Sequence, residues 1–106
     1  MKNRRFILFA VVALFTTAMM NISCSQQTDL KALIVTGQNN HNWVSSSVRL
    51  RTILAKSGVF SVDIEISPEQ GKDMSGFIVD FTPYDVVVLD YTGDAWPSET
   101  NENFLS

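Results

Sequence analysis

Two polar loops contain most of the side chains that could bind or react with a small molecule. Residues 37–42 follow one predicted buried strand, and residues 90–94 follow another. Ligands of open α/β sheets bind beyond the carboxyl ends of the strands, and a strand order of 2-1-3 would make these two loops neighbours. The helix predicted to begin after the first loop adds free backbone amides. The predicted ligand-binding residues are Asn40, His41, Trp43 and Asp94.

Each of these residues also has a purely structural interpretation. His41 could be a surface loop residue, and the asparagines of its loop could serve only as turn and cap residues. Asp94 could cap the last helix, and Trp43 could pack in the core rather than stack on a sugar. The chain has a single histidine, with no second one at ligand spacing, so we predict no metal site.

The sequence lacks an evident catalytic centre. No serine lies in a G-x-S-x-G turn, and the only cysteine, Cys24, precedes the first predicted strand. Gly37 belongs to neither a GxGxxG nor a Walker pattern, which excludes the usual dinucleotide and P-loop sites. We therefore predict no cofactor and leave the catalytic residues unassigned.

Three predicted strands position the two loops. Residues 31–36 and 85–89 contain continuous apolar runs, which are typical of strands buried on both faces of a parallel sheet. Residues 60–66 alternate between apolar and polar side chains, which indicates a half-exposed strand near a sheet edge. A helix separates the first two strands, so we predict a parallel β-α-β unit with a right-handed crossover.

Two predicted helices and a long connection complete the domain. The first helix covers residues 43–57, with Asn42 as its cap and Gly58 at its end. Pro97 begins the second helix, in which Phe104 and Leu105 would be core residues. Two prolines and two glycines interrupt the connection, whose apolar side chains could hold it against the body. The first helix is predicted to turn Trp43, Leu50, Ile53 and Leu54 inward, and the connection to use Met74, Phe77 and Phe81.

The first 23 residues indicate export. Three basic residues precede an apolar run over residues 6–20, which is the pattern of a bacterial signal peptide. Residues 21–24, Asn-Ile-Ser-Cys, resemble a relaxed lipobox with asparagine in place of the usual leucine. We therefore predict a signal peptide over residues 1–23, lipid modification of Cys24 and a tether over residues 24–30. The alternatives are a plain cleaved signal peptide and a simple N-terminal membrane anchor.

The predicted mature part is acidic. The first 23 residues contain three of the 8 Lys and Arg residues and none of the 11 Asp and Glu residues, which leaves a net charge of −6. No basic patch with interleaved aromatic residues remains, so we predict no nucleic-acid partner. The acidic balance fits a body held near an anionic membrane without being pressed against it.

Four segments resemble a known family. Residues 31–43, KALIVTGQNNHNW, resemble the opening strand and loop of ThuA-like domains, the trehalose-utilisation family of the class I glutamine amidotransferase-like superfamily. Residues 73–77, 84–88 and 93–97 resemble later segments of the same domain in exported members. The resemblance covers residues 31–106 and implies a flavodoxin-like three-layer α/β sandwich with a parallel sheet. That domain is longer than this chain, so about three strands and only its N-terminal part are expected here.

The resemblance also implies a function. ThuA-like domains suggest carbohydrate metabolism of the trehalose or keto-glycoside type, and His41 and Trp43 match a recurrent loop motif of the family. The superfamily's catalytic cysteine is generally absent from ThuA-like proteins, so whether this chain is an enzyme stays open. The alternatives are a non-catalytic glycan- or protein-binding surface module and an inactive fragment. The expected partners are a carbohydrate and, through the lipid anchor, a bacterial membrane facing the periplasm or the cell surface; the oligomeric state is left open.

Overall fold

The structure is a computed structural model that describes residues 29–106. The predicted signal peptide, Cys24 and most of the predicted tether lie outside the described residues. None of the helices within the described part is long and apolar enough to cross a membrane. The elements in chain order are β1 (Leu30–Thr36), α1 (Trp43–Lys56), β2 (Phe60–Ile66), β3 (Val86–Leu89) and α2 (Ser98–Leu105).

The three strands form one parallel sheet with the order β2-β1-β3. Ile34 in the middle of β1 lies opposite Ile64 of β2 and Val88 of β3. Side chains 32–35 of β1 are fully or almost fully buried, as the continuous apolar run predicts. The predicted α/β class and the parallel sheet are therefore confirmed, the strand order is the one under which the two polar loops become neighbours, and the sheet with its two helices is an incomplete flavodoxin-like arrangement.

Helix α1 packs against β1 and β2. Asn42 caps it, because its Oδ1 accepts a hydrogen bond of 3.1 Å from the Ser45 amide, and Gly58 follows its last turn with a φ of +71°. The prediction that Ile53 faces the core is wrong, since that side chain is 67% exposed. Ser47 is the buried residue instead. Its small side chain fits close to the sheet and satisfies its hydroxyl on the Val44 carbonyl.

The connection between β2 and β3 is irregular but packed. Phe77, Val79 and Phe81 are buried and form one apolar cluster with Leu33 and Val35. Side chains face alternate sides of a strand, so this cluster lies on the sheet face that Leu33 and Val35 share. The prediction that apolar side chains hold the connection against the body is confirmed.

Helix α2 stabilises this connection through polar side chains. Thr100 is fully buried, donates a hydrogen bond to the Phe77 carbonyl at 2.6 Å and accepts one from the Val79 amide at 3.2 Å. Backbone groups without a strand partner are thereby satisfied. The prediction for Leu105 is wrong, because it is 82% exposed at the end of the helix. Phe104 packs its edge on aromatic rings although it is partly exposed.

Candidate functional site

Asp90 is the centre of the polar groups at the carboxyl edge of the sheet. It directly follows β3 and is 8% exposed. Its Oδ2 accepts hydrogen bonds from Ser46 Oγ at 2.6 Å and Thr36 Oγ1 at 3.3 Å. Its Oδ1 accepts one from Asn39 Nδ2 at 3.2 Å and lies 3.2 Å from His41 Nε2. The carboxylate thus fixes β1, the loop of residues 37–42 and the first turn of α1 relative to β3.

His41 is the reactive side chain that this arrangement presents to solvent. Its side chain is 49% exposed, and its Nε2 also lies 3.1 Å from Ser46 Oγ. Its Nδ1 lies 3.3 Å from Asn40 Oδ1. Oxygen atoms therefore flank both ring nitrogens, which orients the imidazole while half of its surface stays open to a ligand. An imidazole held by a buried carboxylate can donate a hydrogen bond or exchange a proton with a bound molecule.

The other predicted ligand-binding residues do not all lie beside His41. Asn40 is exposed beside His41, and Trp43 is half-buried at the start of α1, with its carbonyl oxygen 3.2 Å from Ser46 Oγ. Asp94 belongs to a different set of contacts, because its Oδ2 accepts a 2.6 Å hydrogen bond from the Gly71 amide. The carboxyl group of Asp94 does not cap α2, whose cap position is Pro97.

Gln38 joins the loops and is a residue that the sequence reasoning missed. It is 4% exposed, and its Nε2 donates a 2.7 Å hydrogen bond to the Pro68 carbonyl. Its Oε1 accepts a 2.7 Å bond from the Asp94 amide, and its backbone carbonyl accepts one from the Thr92 amide. One buried amide therefore links three loops. A glutamine within a polar run gives no sequence signal of burial, whereas Asp90 could have been noticed as a carboxylate directly after an apolar strand.

Two glycines make this close packing possible. Gly37 has a φ of +119°, and a Cβ there would lie 2.7 Å from the Ser67 nitrogen and 2.8 Å from its carbonyl oxygen. A Cβ on Gly93 would overlap the side chain of Gln38. The loops after β1 and β3 can therefore reach these positions only without side chains at residues 37 and 93.

Aromatic side chains pack beside the loop of residues 90–94. Tyr91 donates a 2.6 Å hydrogen bond to the Asp94 carbonyl, and its ring packs on Trp96. Burial, and then the negative charge of Asp94, raise the pKa of the Tyr91 phenol, which keeps it a hydrogen-bond donor at neutral pH. Among the described residues, Trp96 Nε1 is buried without a hydrogen-bond partner.

A groove lies beside Trp96. It is a shallow groove of about 500 Å³ between the connection and the start of α2. The lining residues are Asp73, Met74, Ser75, Ile78, Ala95, Trp96, Pro97, Ser98 and Glu99. Within residues 29–106, no group of three or more His, Cys, Asp or Glu side chains is placed to hold a metal ion.

The chain is similar to a solved structure. The crystal structure of a protein from Parabacteroides merdae, described as ThuA-like, shares 65% sequence identity with it over 73% of this chain, with a TM-score of 0.71. The match spans only 28% of the length of that protein's chain. No protein-family model matches the chain, and no curated protein matches it.

Proposed function

This chain contains part of a ThuA-like domain, and on that premise we propose that the protein binds a carbohydrate at the carboxyl edge of its parallel sheet. The ligand is a disaccharide of the trehalose type or a keto derivative of it, because trehalose utilisation is the role that the family name suggests. A sugar of this kind offers many hydroxyl groups, and the loops of residues 37–42 and 90–94 offer amide, imidazole and carboxylate groups to match them.

The observation that carries this proposal is the convergence on Asp90. A buried carboxylate holds His41 and Asn39 beside the first turn of α1, so the polar groups are ordered before a ligand arrives. Groups that are already ordered lose less conformational entropy on binding. Open α/β sheets bind their ligands at this same edge.

The protein carries out this role outside the cytoplasm, attached to a bacterial membrane. The support is the sequence of the first 24 residues, with its basic start, apolar run and Ser-Cys junction. A lipid on Cys24 is the proposed attachment. Only five residues separate Cys24 from β1, so this attachment would keep the domain close to the bilayer.

A non-catalytic glycan-binding module is the second candidate, and the contacts of Asp90 favour it. Each carboxylate oxygen of Asp90 already faces two donors of the protein, so this group is not a free general base. His41 is then left as the one ring that could move a proton within this site. Turnover of the sugar by the full chain would favour the enzyme, and binding without turnover would favour the module.

Substituting His41→Ala in the full chain is expected to weaken sugar binding by about two- to tenfold. The substitution removes a positioned imidazole, and a hydrogen bond contributes about 0.5–1.5 kcal/mol. Isothermal titration calorimetry with trehalose and with its keto derivative measures the effect. Lys31→Ala is the control, because this exposed side chain lies near the start of β1, whereas the site lies at the carboxyl ends of the strands. Equal affinities of the wild type and His41→Ala would contradict the assignment.

A further inference from the structure

Helix α1 carries an unequal share of the positive charge. Of the five basic residues in the described part of the chain, Arg49, Arg51 and Lys56 lie on α1, and all three are exposed. The helix contains no acidic residue, whereas the remaining described residues include 11 acidic and only two basic ones. Helix α1 is therefore basic, although the net charge of this part of the chain is −6.

The same helix exposes branched apolar side chains. Val44 and Val48, one turn apart on the same side of the helix, are each more than half exposed, although such residues are usually covered. We call the α1 outer surface the set of Val44, Val48, Arg49, Arg51 and Lys56. The inner face of α1 packs on the sheet, and its outer face offers Arg and Lys side chains with exposed valines and no acidic residue, which suits contact with an anionic membrane surface.

A groove between α1 and the edge strand β2 adjoins this surface and has a volume of about 520 Å³. Its apolar lining residues are Val48, Ala55 and Ile64, and its charged groups are Arg51 and Lys56. This combination suits an amphipathic anion, because the acyl part can contact the apolar side chains while the phosphate faces the cations.

The chain enters the domain beside the same helix. The Leu30 amide donates a 3.0 Å hydrogen bond to the Val59 carbonyl, three residues after the end of α1. Only four residues separate Cys24 from Asp29 in the sequence. An anchor at Cys24 therefore holds α1 close to the bilayer.

We propose that the α1 outer surface lies against the anionic phospholipids of the membrane to which the protein is attached. The proposal rests on the membrane attachment given under the proposed function. The attraction comes from three cations near a negative surface, and the two exposed valine side chains contact the headgroup region. The loops around Asp90 contribute no residue to this surface, so a soluble sugar can still reach them.

Labelling of lysine side chains tests this orientation. The full chain is reconstituted in vesicles of phosphatidylethanolamine and phosphatidylglycerol, and separately in neutral phosphatidylcholine vesicles. A membrane-impermeant acylating reagent is added, and mass spectrometry gives the rate at each lysine. Lys56 is expected to react at least about threefold more slowly on the anionic vesicles, and 1 M salt is expected to remove the difference. Lys72 is exposed and follows Gly71, whose amide bonds Asp94 in the loop after β3, away from the α1 outer surface. The labelling rate of Lys72 should therefore be the same on both vesicle types.

Two variants separate charge attraction from other causes of protection. The double variant Arg49→Gln, Arg51→Gln should abolish the slow reaction of Lys56, whereas Glu99→Gln, Glu102→Gln, with two exposed charges changed on α2, should preserve it. Equal rates at Lys56 on both vesicle types would overturn the proposal, and so would slow reaction in both, which would mean that protein covers the helix. A chain that does not float with either vesicle in 1 M salt would overturn the attachment itself.

Discussion

Replacing Gly37 with alanine is expected to lower the free energy of unfolding by about 3 kcal/mol or more. The residue has a φ of +119°, which side-chain-bearing residues rarely adopt, and the new Cβ would collide with backbone atoms of Ser67. Ser67 cannot move away easily, because its amide donates a 2.9 Å hydrogen bond to the Thr36 carbonyl. The backbone strain costs about 1–3 kcal/mol and the overpacking costs a similar amount.

Urea unfolding of the full chain, followed by the fluorescence of its two tryptophans, measures this effect. Gly76→Ala is the matched control, because a Cβ at Gly76 meets nothing within 4 Å. That variant should stay within about 0.5 kcal/mol of the wild type. Similar midpoints for the two variants would contradict the close approach of the loops at Gly37.

The substitution Asp90→Asn is expected to destabilise the fold by about 2–4 kcal/mol and to abolish sugar binding. The carboxylate accepts or faces donors on both oxygens, whereas an asparagine presents an NH₂ group in place of one oxygen. That group would face either Asn39 and His41, which donate to Asp90, or Ser46 and Thr36, whose hydroxyls would have to rotate and give up their present hydrogen bonds in order to accept. The loop of residues 37–42 would then lose contacts that Asn39 and His41 make to Asp90, although Gln38 would still bond Thr92 and Asp94.

Asp73→Asn is the matched control for this substitution. Asp73 also accepts two hydrogen bonds, which lower the pKa of its carboxyl group, but both come from Ser75 in an exposed turn. An asparagine supports the same type of turn, so the control should change stability far less. Urea unfolding and calorimetric sugar titration are applied to both variants. Wild-type stability and affinity in Asp90→Asn would refute the central role of Asp90.

The sheet could be predicted from the sequence because its signals are local. The continuous apolar runs identified β1 and β3, and strict alternation gave β2 with its bounds. The β-α-β unit places β1 beside β2 in a parallel pair, whereas the pairing of β3 with the other side of β1 is shown only by the structure. His41 and Asn40 were accordingly expected at the edge where the structure has them.

The details of packing depend on contacts that the sequence does not reveal. Ser47, rather than Ile53, faces the sheet because the close approach of α1 favours a small side chain. Thr100 satisfies backbone groups of the connection more than 20 residues away, and no periodicity indicates such a pair. An irregular segment takes its hydrogen-bond partners from the tertiary structure, so these can be known only once the chain is folded.

The site was only partly predictable for the same reason. Asp94 lies in the expected loop, but its carboxylate bonds the Gly71 amide, while Asp90, four residues earlier, is the residue that contacts His41. Gln38 and Asp90 reach partners 30 to 56 residues away. Sequence reasoning gave the edge of the sheet at which the polar groups lie, and only the structure shows which carboxylate orders them.

Nuclear magnetic resonance can locate the sugar site on the folded chain. Backbone amide signals of the isotope-labelled full chain are followed during titration with trehalose and with its keto derivative. We expect shifts confined to the loops of residues 37–42 and 90–94 and the first turn of α1, with the largest at His41 and Asn40. Shifts that cluster instead around the groove beside Trp96, or no shifts with either sugar, would contradict a carbohydrate site organised by Asp90.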